Sequence, residues 1–452
     1  MSGFNITKRY AYFLFLLGTF SATQIRLIGS IGISEIVICL FAPFIFMTDY
    51  HVLRRDGFLT VSWLALLAIL GCVVACVYNN TPFAAAVRGV ATPYVLFSTI
   101  VVGHRLLRRC PMGIKWFYLG VAISLVINIF MFQTATELTI YGGGETGLDA
   151  AEGIMSSPIF WIARIQEWIF LPIRGWYLQT PTPYSIFIPI AFAIFSAITS
   201  VSGRSAAATT LMMTIFVILG GKRISQLNRL SRNSLLVLIL CGLAAMGIMS
   251  MYKKAATSGI LGERALLKYE GQMKGRKNSI LTLLMAGRVE FFVGLYACIQ
   301  NPFIGYGPWA IDEDGLYEQF ITKYGDTDDF AAFEGARKWQ REHGYRRIGF
   351  IPSHSYIISF WVAYGISGLI FWLYVLSQCI RYFRKDLATV PQWFGPIAVF
   401  MVPFLWNFFF SPLGARVPIG IFIVLIMMTR AVRIGSVQLP VEMILDIERK
   451  SK

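Results

Sequence analysis

Apolar runs about as long as a bilayer core is thick recur down this chain, separated by short basic stretches, and that spacing leaves it few folds. The runs lie near Tyr10 to Ala22, Leu27 to Met47, Phe58 to Tyr78, Ala84 to His104, Met112 to Phe132, Tyr184 to Thr199, Ser205 to Leu219, Asn233 to Met251, Tyr356 to Ile380, Trp393 to Phe410 and Val417 to Met428. Most approach the roughly 20 residues that cross hydrocarbon as a helix. With 56% hydrophobic and 14% charged residues over 452 positions, the chain is too apolar for a soluble domain of its size. The expected fold class is all-α, a polytopic integral membrane protein forming a single membrane domain over residues 1–452. The first run, preceded by Lys8 and Arg9, imitates a signal peptide. A cut after Ala22 would leave bulky Phe20 three residues upstream, however, and a second apolar run follows at once, so an uncleaved span is expected.

Basic loops set the sidedness. Arg54 and Arg55, then Arg105, Arg108, Arg109 and Lys115, then Lys222, Arg223, Arg229 and Arg232, then Arg381, Arg384 and Lys385 mark the cytoplasmic face. The net charge of +16 therefore reports orientation and gives no reason to expect nucleic acid as a partner. Three clear spans separate Lys115 from Lys222, yet both flanks are basic, so a further crossing is required. Ile159 to Leu178 fits it, an aromatic-rich segment that can carry Arg164, Glu167 and Arg174 when packed against protein; the exact path of residues 134–182 stays open. The count is then about twelve transmembrane helices with both termini inside. Residues 253–355 become one large periplasmic loop of about a hundred residues, long enough to escape the positive-inside bias.

Metal and disulfide chemistry find little support. Cys39, Cys72, Cys76, Cys241 and Cys379 lie in apolar runs, Cys110 follows a basic loop, and Cys298 stands alone in the hydrophilic segment. Asp312-Glu313-Asp314 and Asp326, Asp328 and Asp329 read as solvated faces, with no further ligand at helical spacing to complete a shell. No metal and no cofactor is expected. Of the 4 histidines, His51 and His104 decorate basic loops and His343 lies in a charged hydrophilic run. His354 differs. It stands between Pro352 and Tyr356, where the loop re-enters the membrane, and an unperturbed imidazole with a pKa of about 6.5 can take a proton from a hydroxyl at neutral pH. A helix-start histidine with a local hydrogen bond is the plainer alternative.

On this map Arg26, Arg88, Arg204, Arg288 and Arg416 fall at or near the outer face, where basic residues are normally scarce. Arg26 and Arg416 read as anchors that snorkel to lipid phosphates. Arg204 stands in Ser202-Gly203-Arg204-Ser205, a very short turn between two spans. Arg288 lies within Ser279 to Gln300, read as an interfacial helix because another crossing there would reverse the parity of every later basic loop. Asn301-Pro302 stops that helix, and Gly305 and Gly307 permit a tight turn. A diphosphate at the surface would explain the cations, since guanidinium grips phosphate oxygens with paired hydrogen bonds. Arg204, Arg288 and Arg88 are the candidate ligands. Glu35, inside the second span, needs a partner or a wet cavity; an outward-facing arginine is a candidate, and the sequence does not choose one.

Three features recur together: a Ser-Arg turn opening a span; a Gly-Arg helix (Gly287, Arg288) ending in Asn301-Pro302-Phe303-Ile304-Gly305-Tyr306-Gly307; and a histidine before a span containing Gly365-Ile366-Ser367-Gly368-Leu369. In that order they resemble the superfamily of O-antigen ligases and Wzy-type polysaccharide polymerases. The specific part covers about Ser200 to Phe371. The resemblance implies a GT-C-like, metal-independent inverting glycosyltransferase of the bacterial inner membrane, its active site facing the periplasm and its donor an undecaprenyl-pyrophosphate-linked glycan. It further implies that Arg204 and Arg288 hold the pyrophosphate and that His354 is the catalytic base. Gly203 separates Ser202 from Arg204 where the family usually has the pair adjacent, and Ser355 follows His354 where asparagine is common. The acceptor would be another lipid-linked glycan in a polymerase, with a chain-length regulator as a possible partner, or lipid A core in a ligase. Polymerase is preferred because nothing marks a core-oligosaccharide acceptor. A transporter would show paired repeats and ionisable groups near the midplane, and a sensor would need an output domain; neither pattern is evident.

Overall fold

The structure is a computed structural model. It describes residues 2–21, 24–26, 30–131, 250, 253–254, 257–258, 289–324, 351, 355–382, 401, 404–409 and 416–433. These residues are mostly helical: α1 Ser2–Thr19, a hairpin of β1 Gln24–Arg26 and β2 Ser30–Gly32, α2 Ile33–Thr48, α3 Tyr50–Arg55, α4 Leu59–Tyr78, α5 Phe83–Arg109, α6 Ile114–Met131, α7 Val289–Gln300, α8 Leu316–Tyr324, α9 Tyr356–Arg381 and α10 Arg416–Arg433. Among the described residues, three helical segments are long and apolar enough to cross a membrane by length and composition, namely α4, α5 and α9, the last of them broken at Gly365. The chain is a helical membrane protein. The expected crossings at 159–178, 184–199, 205–219 and 233–251 lie outside the described residues.

Most of the expected run at 393–410 also lies outside the described residues, and the remaining runs fall on helices, the first of which starts earlier than expected, at Ser2. The second begins at Ile33 instead of Leu27, because the residues before it pair with each other, Gln24 opposite Gly32 and Arg26 opposite Ser30. Glu35 then fixes the helix start by accepting the Gly32 N–H at 3.0 Å. α5 is the hub, packed on α2, α4 and α10, while α4 also packs on α9 and α1 on α6. Small residues allow the close contacts. At Gly18 a side chain would overlap the Phe117 carbonyl, so α1 and α6 touch backbone to backbone.

Two ends of the bundle carry its polar groups. At the basic end, Arg105 bonds Asp49 at 3.3 Å, and Asp56, buried between α3 and α4, receives Arg55 Nε at 3.2 Å, Arg108 Nε at 3.2 Å and His104 Nε2 at 3.0 Å. This corrects the surface role expected for His104. It is 1% exposed and lies against the Phe58 ring at 4.4 Å. His51 is exposed, as expected of a loop residue. Burial alone would raise the Asp56 carboxyl pKa, but the hydrogen bonds from His104 and Arg55 and the charges of His104 and Arg108 outweigh it and hold it below the ordinary value.

Removing that carboxylate leaves the buried His104 without its partner and takes the shared anion from the partly exposed Arg55 and Arg108. Asp56→Asn is expected to lower stability by about 3 kcal/mol, read as thermal unfolding in a detergent micelle. Because the folded carboxyl titrates below the unfolded value of about 3.9, the contribution is full above that pH and lost as the pH falls through the folded value. An unchanged melting point at neutral pH would show that the cluster holds nothing together.

Candidate functional site

The opposite end is built around a break in α9. Gly365 has φ 61° and ψ −149°, a conformation that essentially only glycine adopts, and the helix reverses there. In a straight helix Tyr356 and Trp372 would be about 24 Å apart; their rings lie 5.5 Å from each other, and Phe360 meets Trp372 at 5.3 Å. Residues 356–364 and 366–381 are therefore two arms of a helical hairpin, not the single straight span expected from the sequence.

The turn at 301–307 fits into this elbow. A break leaves backbone groups unpaired, which in apolar surroundings is costly unless something else satisfies them. Here Tyr306 N–H donates to the Val362 carbonyl at 2.6 Å, Ile366 N–H donates to the Phe303 carbonyl at 3.1 Å, and Trp361 Nε1 donates to the Pro302 carbonyl at 2.9 Å. Gly305, with φ 79°, has no room for a side chain, since a Cβ would sit 2.6 Å from the Val362 oxygen. Its own carbonyl accepts two amides, Asn301 Nδ2 at 2.8 Å and Asn79 Nδ2 at 3.1 Å, which ties the turn to the end of α4. The elbow is sunk into the bundle. Gly71 touches Ser367 and lies eight residues before Asn79, about 12 Å along α4. The plain loop that Gly-Tyr-Gly would suggest by itself is thus a keyed joint.

Around the joint is a second, smaller core of Ala297, Cys298, Leu316, Ile351, Ile358 and Val362. Tyr356, Phe360 and Tyr364 belong to the main core. Residues 356–364 therefore form a wall shared by two cores, with positions 358 and 362 on one face and 356, 360 and 364 on the other. Ser355 starts this wall: wholly buried, it accepts the Ile358 N–H at 3.3 Å and donates to the Phe408 carbonyl at 2.7 Å. Asp312 caps α8 instead of facing solvent, accepting the N–H groups of Leu316 and Tyr317 at 2.6 and 2.9 Å. Burial, reinforced by the carboxylates of Asp314 and Asp312, pushes the Tyr306 phenol up to about 12, so it stays protonated.

Of the expected site residues, Arg88 is described, whereas Arg204, Arg288 and His354 lie outside the described residues. Arg88 is exposed on α5, one residue before Gly89, against which Pro308 packs and whose carbonyl accepts the Tyr364 hydroxyl at 3.1 Å. Val289, the first residue of α7, follows Arg288, and the cap Ser355 follows His354. The elements that begin after these two residues, α7 and α9, pack on each other. Arg416 departs from the anchor role. Its Nη2 binds Glu35 Oε2 at 2.7 Å, giving Glu35 the partner it required. Asn79, Asn301 and Trp361 were missed as joint residues, and only the Asn-Pro stop hinted at one of them. No protein-family model and no curated protein matches the chain.

Proposed function

We propose that the protein is a metal-independent inverting glycosyltransferase of the bacterial inner membrane, using an undecaprenyl-pyrophosphate-linked glycan at the periplasmic face as a Wzy-type polysaccharide polymerase. The observation that carries this reading is the joint, which gives the Asn-Pro-x-x-Gly-x-Gly turn a reason to accompany Gly365. It also gathers into one core the elements that follow Arg288 and His354 in the chain. The chemistry asks little more. A sugar C1 bonded to pyrophosphate departs readily if the growing negative charge is neutralised, and fixed guanidinium groups (Arg204, Arg288 and Arg88) do this without a metal. His354 takes the proton of the acceptor hydroxyl, the oxygen attacks C1, the C1–O bond to phosphate breaks with inversion, and undecaprenyl pyrophosphate leaves.

The test uses purified full-length protein in liposomes supplied only with lipid-linked repeat units. Longer lipid-linked chains are the expected result. Product appearing only after lipid A core is added would make the protein an O-antigen ligase. Movement of the lipid-linked sugar across the bilayer with no covalent product would replace the enzyme by a transporter.

A further inference from the structure

The joint reverses the usual polarity of a loop. Its backbone is turned inward, since the carbonyls of Pro302, Phe303 and Gly305 and the N–H of Tyr306 are each hydrogen-bonded within the protein. Its apolar side chains are turned outward, with Phe303 74%, Trp309 53% and Ile311 56% exposed. A turn bathed in water can leave its backbone to the solvent and loses by displaying large apolar groups together. A turn set against hydrocarbon must do the reverse, because non-helical backbone persists at membrane depth only where protein supplies its partners.

The depth agrees with the second case. Ile366 N–H donates to the Phe303 carbonyl, and the next residue, Ser367, touches Gly71, about 10 Å short of the end of α4 at Tyr78. Pro308 rests on Gly89, about 9 Å inside α5 from its first residue, Phe83. The turn thus lies alongside the last turns of two membrane-length helices and is not perched above them. The exposed residues of α4 along that stretch, Val73, Val74 and Val77, are apolar too.

The sequence marks the same boundary. Phe291 to Ile311 carries no charged residue, and Asp312-Glu313-Asp314 follows at once. Within that stretch α7, at 12 residues, is about 18 Å long and too short to cross by itself. Trp309 adds a local sign. It holds φ 52°, a left-handed conformation unusual for so bulky a residue, between Pro308 on Gly89 and Ala310, whose carbonyl accepts the Ile351 N–H at 3.0 Å. Strain that showed an indole to water would gain nothing, whereas an indole sits favourably where headgroups meet acyl chains.

We propose that Phe303, Trp309 and Ile311 form a wedge set into the acyl chains of one leaflet, so that residues 301–311 dip into the membrane instead of lying in the aqueous loop expected over 253–355. The partner of this surface is the bilayer lipid. Phe303 is its deepest point, and the acidic run that begins at Asp312 is its exit. The wedge does not depend on the chemistry proposed above.

The experiment places the photoreactive residue p-benzoylphenylalanine at position 303 or 309 of the full-length protein, in nanodiscs of phosphatidylcholine whose acyl chains carry an alkyne tag, and reads lipid adducts by mass spectrometry after irradiation. Position 77 on α4 is the lipid-facing reference and position 313, in the exposed acidic run, the aqueous one. Adducts at 303 and 309 comparable to those at 77, with only background at 313, are expected. Adducts at 303 and 309 no more frequent than at 313 overturn the proposal, and so does cross-linking to a second copy of the chain in place of lipid, which would make the surface a dimer contact. A charge gives a second reading. Phe303→Asp is expected to lower the melting temperature in nanodiscs, because a carboxylate is costly among acyl chains, while Glu313→Ala leaves it unchanged. A Phe303→Asp variant that melts with the wild type also overturns the wedge. Neither readout involves glycan transfer, so failure here leaves the enzyme reading intact, and failure of the enzyme reading leaves the wedge intact.

Discussion

Replacing His354 by alanine is expected to cut glycan transfer by about a hundred- to ten-thousand-fold, the range that a positioned general base contributes. The loss should fall on kcat, with the KM for the lipid-linked donor little changed, because the arginines proposed to neutralise pyrophosphate remain. The acid limb of the pH–rate profile should vanish with it, since protonation of the imidazole is what switches the base off at low pH. Loss of folding is separable from loss of chemistry. Ser355, which caps residues 356–364 and bonds to Phe408, is untouched, so the variant should melt near the wild-type temperature. Product formed at the wild-type rate would remove His354 from the mechanism, and with it the reading of this end of the bundle as a transferase site.

How far the sequence disclosed the protein depended on the range over which each signal acts. Span positions follow from composition within a window, and α4, α5, α6 and α10 begin and end close to the expected residues. The stop at Asn301-Pro302 was equally local. Partnerships were not. Glu35 and Arg416 lie at opposite ends of the chain, and nothing in either neighbourhood selects the other. His104 looked like loop decoration because it ends an apolar run beside arginines, and only the return of the chain through Asp56 buries it. The break at Gly365 was hidden because the apolar run continues through it without interruption. Its reason lies some sixty residues upstream, in a turn whose backbone supplies the missing hydrogen-bond partners.

That joint gives the largest expected effect on stability. At Gly365→Ala the new methyl would overlap the Phe303 carbonyl oxygen, and the backbone conformation is one that alanine does not readily hold. Relief requires the turn to leave the elbow, which strands Val362 and Ile366 backbone groups at a depth where water does not replace the bonds. Strain, overlap and lost bonds together come to about 4–8 kcal/mol, enough to undock the smaller core from the bundle. Gly315 supplies the control. It too has positive φ, 65°, but nothing lies within 4 Å of a side chain placed there, so Gly315→Ala carries only the conformational cost of about 1–2 kcal/mol. Thermal unfolding and limited proteolysis between residues 301 and 324 read the difference: rapid cleavage and a collapsed melting point in Gly365→Ala, near-native resistance in Gly315→Ala. Equal behaviour of the two variants would mean that the elbow tolerates the methyl and that the turn is not keyed into it. The joint would then no longer explain why the Asn-Pro-x-x-Gly-x-Gly turn and Gly365 occur in one chain.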